Sequence, residues 1–187
     1  MFEIRFHGRG GQGSVIASEI LAKAVAMEGK DVQSFPFFGV ERRGAPVMAF
    51  TRVDDKPIRV KTGIYEPDCV VVLDASLLTS LNVAAGLKKG GTILVNSERK
   101  PEEMGLAFQG RIATVDATGI ALRHGLGSRT APIMNTAILG ALVRVTGLVG
   151  LESMTAAIAE TVPTKPEENA AAAREAYNSV VVKEVAA

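Results

Sequence analysis

Residues 2–13 read FEIRFHGRGGQG, a short strand-forming run that leads directly into a glycine-rich turn. Apolar residues then recur at helical spacing over residues 12–27, so the chain begins as strand, turn and helix. Glycines let the backbone turn sharply and let a ligand approach it, and a helix start presents unpaired amides and a positive dipole end. The stretch therefore predicts a binding site for an anion, either a phosphate or a carboxylate.

Two common nucleotide-binding motifs are related to this turn but fit it poorly. Gly8, Gly10 and Gly13 have the G-x-G-x-x-G spacing of dinucleotide sites. Such a site also needs an acid at the end of the second strand, where residues 34–36 here read SFP. A P-loop would need a following Gly-Lys-Ser/Thr, which the chain lacks. A tight turn required only for close strand–helix packing is the structural alternative for Gly8 and Gly13.

The composition is typical of one globular, cytoplasmic domain. The chain has 187 residues, of which 47% are hydrophobic, and a net charge of +1. This size predicts a single domain over residues 1–187, with a helical extension at residues 163–187. The near-neutral charge argues against nucleic acid as a partner, and no apolar window is long enough to predict a membrane span.

The single cysteine, Cys69, lies in the apolar run of residues 69–73, which predicts a buried structural thiol. One cysteine cannot form a disulfide within the chain or supply the ligands of an iron–sulfur cluster. No set of His, Cys, Asp or Glu has metal-ligand spacing, and neither histidine lies in a recognisable catalytic triad. We expect no metal site and no catalytic residue in this chain.

Hydrophobic patterning predicts an α/β fold with three layers, α/β/α, around a Rossmann-like mixed sheet. Short fully apolar runs are typical of strands covered by helices on both faces, and alternating polarity around residues 54–57 predicts an antiparallel hairpin. The sheet should thus be mostly parallel, with a helical C-terminus. The expected strands are 2–6, 31–35, 47–53, 58–61, 69–73, 92–95 and 112–115, and the expected later helices are 133–145, 151–161 and 167–183.

Polar residues follow three of these strands: Asp74, Asn96 and Asp116. Ligands of open α/β sheets gather at the carboxyl ends of strands, so these side chains and His7 are candidates for one shared rim. The alternative for Asp74 and Asp116 is a capping role at the helices that follow. For His7, at the end of the first strand, we predict a hydrogen-bonding residue that braces the glycine turn.

A second group of candidate residues is the segment Glu41-Arg42-Arg43-Gly44, beside the aromatic residues Phe35, Phe37 and Phe38. Arginines offer planar donor pairs for phosphate or carboxylate. They either hold an anionic ligand near the glycine turn, or pair with acids of another subunit across an interface centred on the phenylalanines, or form a solvated surface pair.

Asn135, near the start of a later helix, is a further candidate. The alternative reading is that it only hydrogen-bonds the end of that helix.

Several motifs together resemble a known family. They are HGRGGQG at residues 7–13, FP at 35–36, GVERRGAP at 39–46, PD at 67–68 and NT at 135–136. The combination, spread over nearly the whole chain, is similar to the gamma subunit of 2-oxoacid:ferredoxin oxidoreductases, most of all the pyruvate type.

The resemblance implies a non-redox subunit, inactive alone, of a hetero-oligomer that converts pyruvate and coenzyme A to acetyl-CoA and carbon dioxide while reducing ferredoxin. It also implies alpha, beta and delta-type partner subunits, which carry thiamine diphosphate and iron–sulfur clusters, and no cofactor held tightly by this chain. Gamma subunits for branched-chain 2-oxoacids, 2-oxoglutarate or indolepyruvate remain alternatives, as does a free-standing nucleotide-binding module.

A phosphate-rich ligand such as coenzyme A gives the glycine turn and the arginines a common purpose. The hypothesis is that coenzyme A approaches a set of residues that the two motifs and the later helix contribute: Gly10, Gly11, Gln12, Gly13, Arg42, Arg43 and Asn135.

Overall fold

The computed structural model describes residues 1–37 and 44–185. The strands are β1 (Phe2–Arg9), β2 (Asp31–Phe37), β3 (Pro46–Asp54), β4 (Cys69–Val72), β5 (Thr92–Asn96), β6 (Gly110–Val115), β7 (Gly127–Ser128), β8 (Ala131–Pro132) and β9 (Val181–Val185). The helices are α1 (Ser14–Met27), α2 (Leu77–Ser80), α3 (Ala117–Arg123), α4 (Ala137–Thr146), α5 (Leu151–Thr161) and α6 (Pro166–Ser179), with a short 3₁₀ helix at Pro101–Met104.

One sheet of seven strands, in the order β2-β3-β1-β4-β5-β6-β9, forms the centre of the molecule. Strands β1, β4, β5 and β6 are parallel neighbours, whereas β3 pairs antiparallel with both β1 and β2, and β9 pairs antiparallel with β6. Five of the seven strands thus run in one direction, which confirms a mixed and mostly parallel sheet.

Helices cover this sheet on two faces, as the fully apolar strands predict. On one face, alternate residues such as Ile4 and Phe6 of β1 pack against α1, α4, α5 and α6, where Leu21 and Ile138 are completely buried. On the other face, residues such as Val70 and the rest of a smaller cluster pack against α2 and the 3₁₀ helix. The α/β/α architecture is therefore confirmed.

The predicted hairpin of residues 47–53 and 58–61 was wrong, although the sheet does contain the expected antiparallel element. β3 pairs with β2 and β1, and residues 58–61 form no strand. Side chains hold that segment instead: the amide of Ile58 donates to Asp31 and the guanidinium of Arg52 donates to the carbonyl of Gly63. Alternating polarity alone does not distinguish such a segment from a strand.

The last helix is shorter than the predicted range of 167–183. α6 ends at Ser179, Val180 is extended, and β9 adds a strand to the edge of the sheet beside β6. The three consecutive valines at residues 180–182 explain the change, since β-branched side chains favour extended backbone. The predicted helix at 133–145 also begins later, at Ala137, because the small hairpin β7–β8 precedes it.

Candidate functional site

The glycine turn joins the carboxyl end of β1 to the start of α1. Gly11 has φ +96° and Gly13 has φ +79°, values in the left-handed region that favour glycine. Within the described residues no side chain caps α1, and the amide of Ala17 donates to the Gly13 carbonyl at 2.9 Å. The amides before Ala17 in the first turn have no carbonyl of the helix to bind, so they are suited to an anion.

Asp74 holds the turn in place from the neighbouring strand. Its Oδ2 accepts hydrogen bonds from Arg9 Nε at 3.0 Å and from Gln12 Nε2 at 3.1 Å. Gln12 Oε1 also accepts from the amide of Arg9 at 2.7 Å. Gln12 is therefore occupied in bracing the turn through its side chain and through its backbone amide, which donates to the Arg9 carbonyl at 3.0 Å.

The charge of Asp74 is stabilised in this position. Burial acts to raise the pKa of its carboxyl, but hydrogen bonds from Ser76, Gln12 and the Arg9 guanidinium outweigh that effect and hold the pKa below its ordinary value. Ser76 donates both its amide and its hydroxyl to Asp74 Oδ1. Asp74 thus lies at the rim with the glycine turn and also orders the turn before α2.

Asn135 lies directly against the glycine turn. Its Nδ2 is 3.5 Å from the carbonyl oxygen of Gly13, and a Cβ on Gly13 would approach that nitrogen to 2.6 Å. Asn135 is 6% exposed. The structure therefore brings this candidate together with Gly13, although most of its side chain is enclosed by protein.

Arg42 and Arg43 lie outside the described residues, and so does Phe38. The residues that follow the arginines are attached to the glycine turn: the amide of Gly10 donates to the Ala45 carbonyl at 2.9 Å, and the amide of Gly44 donates to the Gly10 carbonyl at 3.2 Å. The two motifs singled out in the sequence therefore meet where the second one ends.

The other predicted members of the rim have structural partners. Asp116 caps α3, accepting from the amide of Gly119 at 2.7 Å, which confirms the capping alternative. Asn96 donates to the Leu73 carbonyl and to Thr118 Oγ1, each at 2.9 Å. Asn96 thus connects the end of β5 to the end of β4 and to α3.

The role predicted for His7 was wrong. β1 continues to Arg9, so His7 lies within the strand, 5% exposed, and its Nε2 accepts from Arg5 Nε at 3.0 Å. Its side chain makes no hydrogen bond to the glycine turn in the described residues; Gln12 and Asp74 brace the turn instead. Burial, and then the Arg5 charge, lower the pKa of His7 to about 4.

The buried His7 predicts a loss of stability in mild acid. The unfolded chain binds a proton near pH 6.5 and the folded chain only near pH 4, so the free energy of unfolding falls as the pH drops between these values. The decrease should be about 3 kcal/mol at most. Urea denaturation of wild type and of His7→Gln at several pH values measures it.

His7→Gln should lack this pH-dependent component, whereas His124→Gln, at the second of the two histidines, should retain it. Equal pH dependence in wild type and His7→Gln would contradict the assignment.

Arg9 and Arg5 were not predicted from the sequence to contribute polar contacts near the site, although the alternation of residue types in β1 could have indicated them. In β1, Glu3, Arg5, His7 and Arg9 alternate with apolar residues, and alternate residues of a strand share one face. That face carries the polar contacts to Asp74 and to the loop after α2.

A cluster of three phenylalanines lies on β2 and β3: Phe35, Phe37 and Phe50. The Phe50 ring is 5.3 Å from Phe35 and 5.9 Å from Phe37, centroid to centroid. Phe50 is buried, whereas Phe37 is 51% exposed. An exposed aromatic ring beside buried ones suits a subunit interface.

Comparison with known proteins places the chain in a family. A family model of pyruvate ferredoxin/flavodoxin oxidoreductases matches residues 3–179. The chain belongs to this family. The expectation of an α/β gamma subunit of a 2-oxoacid:ferredoxin oxidoreductase is thereby confirmed.

Several relatives match over almost their full length. A protein of Thermococcus kodakarensis named pyruvate/ketoisovalerate oxidoreductases common subunit gamma is 61% identical, with 99% of this chain and 100% of the relative covered. The pyruvate synthase subunit PorC of Methanocaldococcus jannaschii is 55% identical, with 98% and 99% covered. The crystal structure of the pyruvate oxidoreductase subunit PORC of Thermotoga maritima superposes with a TM-score of 0.85 at 42% identity, covering 98% of each chain.

Across residues 1–37 and 44–185, no group of three or more His, Cys, Asp or Glu side chains is arranged to hold a metal ion. Within the same ranges, no helix combines the length and apolar character needed to cross a membrane.

Proposed function

We propose that this chain is the gamma subunit of a pyruvate:ferredoxin oxidoreductase and that it contributes to the coenzyme A site of the complex. The turn at residues 10–13 supports the second part most directly. Among residues 1–37 and 44–185, no side chain caps the start of α1, and no atom beyond the adjacent residues lies within 4 Å of a Cβ position on Gly11. Coenzyme A carries phosphates, which are suitable ligands for such a turn. The amides of Gly11 and Gly13 would meet them, because the amides of Gly10 and Gln12 already donate to the carbonyls of Ala45 and Arg9.

The redox chemistry is assigned to other subunits. Cys69 is completely buried, and burial raises the pKa of its thiol to about 12, so it stays protonated and unsuited to ligating iron. Alpha, beta and delta-type chains would hold thiamine diphosphate and the iron–sulfur clusters, and ferredoxin would receive electrons from those chains. This chain would then act by binding and orienting coenzyme A where the partners perform the reaction.

A reconstituted complex carrying both Arg42→Ala and Arg43→Ala tests the coenzyme A contact. A charge-assisted hydrogen bond contributes about 1.5–3 kcal/mol, so losing one such contact to a phosphate should raise the KM for coenzyme A about 10- to 100-fold. The KM for pyruvate should stay unchanged. Steady-state reduction of ferredoxin, with each substrate varied in turn, gives both values.

Arg59→Ala is the matched control, because Arg59 is an exposed arginine in the segment beside the start of β2. It should leave both KM values unchanged. If the double variant assembles in reduced yield and the assembled fraction keeps the wild-type KM for coenzyme A, the arginines belong to a subunit interface and this assignment is wrong.

A second candidate function is that of a gamma subunit shared by two complexes that act on different 2-oxoacids. The relative from Thermococcus kodakarensis is named as common to pyruvate and ketoisovalerate oxidoreductases. Co-purification of the tagged chain from its native source, followed by assays with pyruvate and 2-oxoisovalerate, separates the two cases. Recovery of one set of partner subunits, active on pyruvate alone, would exclude the shared role.

A further inference from the structure

A second pocket lies on the polar face of β1, outside the glycine turn. It has a volume of ≈ 310 Å³, and its lining includes Arg5 and His7 of β1, Met48 of β3, and Leu81 and Asn82 from the loop after α2. Leu81 and Asn82 are exposed, whereas Arg5 and His7 are 8% and 5% exposed. The pocket thus has an open rim and two buried polar side chains in its wall.

The hydrogen bond between Arg5 and His7 fixes which ring nitrogen carries the proton. The Nε of an arginine always bears a hydrogen, so it donates to His7 Nε2, which must accept. The neutral imidazole therefore carries its proton on Nδ1. This Nδ1–H is a buried donor with no hydrogen-bond partner among the described residues. A buried donor without a partner is costly, so an acceptor bound there would stabilise the folded chain.

Arg5 also lacks a counter-charge in the described part of the chain. Its Nη2 donates to the carbonyls of Val83 at 3.0 Å and Ala85 at 2.6 Å, and its third partner is the neutral His7 ring. Glu3, two residues earlier on the same face, is bound to Arg52 at 2.8 Å. A buried guanidinium held only by neutral groups leaves a desolvated positive charge uncompensated.

We propose that this pocket binds a carboxylate on a short aliphatic stem. One carboxylate oxygen would accept from His7 Nδ1, the negative charge would balance Arg5, and Met48 and Leu81 would pack against the stem. This chemistry has two sources: a small aliphatic carboxylate in solution, or an acidic side chain of a partner subunit.

Titration of the ¹⁵N-labelled full chain with isobutyrate, in a carboxylate-free buffer, tests the proposal. Isobutyrate should shift the signals of His7 Nδ1 and Arg5 Nε in a saturable way, and the neutral isostere isobutyramide should not. Arg5→Met should weaken binding about tenfold or more. Because Arg5→Met removes a buried group and endangers folding, Ala85→Trp provides a second variant, which narrows the exposed rim and should weaken binding to a similar degree.

A partner's carboxylate would give a different result. Isobutyrate would then bind weakly or not at all, and Ala85→Trp would lower the affinity of the chain for its partner subunits about tenfold or more.

Absence of titration together with normal assembly of Ala85→Trp would overturn the proposal. It would also be overturned if Glu41→Gln, outside the described residues, shifted the His7 Nδ1 signal of the isolated chain, because the carboxylate would then belong to this chain.

Discussion

Arg52→Ala is expected to lower the free energy of unfolding by about 3–5 kcal/mol. Arg52 is 1% exposed; its Nε donates to Glu3 at 2.8 Å and its Nη2 donates to the Gly63 carbonyl at 3.1 Å. Its guanidinium also lies 5.4 Å from the centre of the Phe35 ring. The substitution leaves the Glu3 charge with only Lys88 Nζ, at 3.9 Å, and removes the side chain that holds residues 60–63 on the sheet.

Urea denaturation of the isolated chain measures this effect. Arg59→Ala is the control, since Arg59 is exposed, and its effect should stay within about 0.5 kcal/mol. A second variant, Arg52→Met with Glu3→Gln, removes both charges and keeps more volume, so it should lose less stability than Arg52→Ala alone. A loss below about 1 kcal/mol for Arg52→Ala would contradict the role given to the ion pair.

Gly140→Ala is the second substitution with a large expected effect. Gly140 lies inside α4, and a Cβ there would overlap the carbonyl oxygen of Ala173 in α6. Because the obstacle is backbone, one helix must move, and the packing of Ala172, Ala173 and Ala176 in the core must change with it. We expect a loss of about 3 kcal/mol, at the upper end of overpacking effects, and faster amide exchange in α6.

The direction of the stability change distinguishes a close helix contact from an ordinary glycine in a helix. In a helix without the contact, alanine in place of glycine raises stability by about 1 kcal/mol. A stabilised Gly140→Ala variant would therefore contradict the close approach of α4 and α6. Gly105→Ala is the control for adding a Cβ. Gly105 has φ +64°, and no atom of the described residues beyond its chain neighbours lies within 4 Å of the new group, so the cost should be about 1 kcal/mol.

Hydrophobic periodicity and glycine placement correctly predicted the elements that depend on short stretches of sequence. The run from β1 through the glycine turn to α1, and the fully apolar strands β4, β5 and β6, follow from periodicity and glycine placement. The pairing of β3 with β2 and the presence of β9 could not be predicted in this way, because strand pairing depends on tertiary contacts. Residues 58–61 alternate like a strand but are held by Arg52 and Asp31, and the valines at 180–182 end a helix that the alanine run favours.

The sequence predicted the parts of the candidate site that depend on local motifs, but not those that depend on tertiary contacts. The glycine turn, Asn135 and Asp74 were identified from their motifs and from strand ends, and the structure brings them together. The use of Gln12 as a brace could not be predicted, because it depends on where β4 places Asp74. His7 was misassigned because β1 extends three residues beyond the predicted end at residue 6.

The proposed coenzyme A contact at the glycine turn suits a subunit of the pyruvate ferredoxin/flavodoxin oxidoreductase family. Gln12, Arg9 and Asp74 brace the turn. The exposed Phe37 lies on β2, which pairs with β3, and the residue before β3 accepts a hydrogen bond from the turn. Such an arrangement suits a subunit that binds a ligand and a partner at the same edge of the sheet. A free-standing nucleotide-binding module would have no need of the exposed aromatic ring.

The most direct test of the central claim compares the partner subunits with and without this chain. Coenzyme A binding and pyruvate-dependent reduction of ferredoxin are measured for both preparations at matched concentrations of thiamine diphosphate. We predict that the partners alone bind coenzyme A at least about 10-fold more weakly and that adding the chain restores tight, saturable dependence on coenzyme A. Equal affinity and equal turnover in both preparations would contradict the assignment of a coenzyme A-binding gamma subunit.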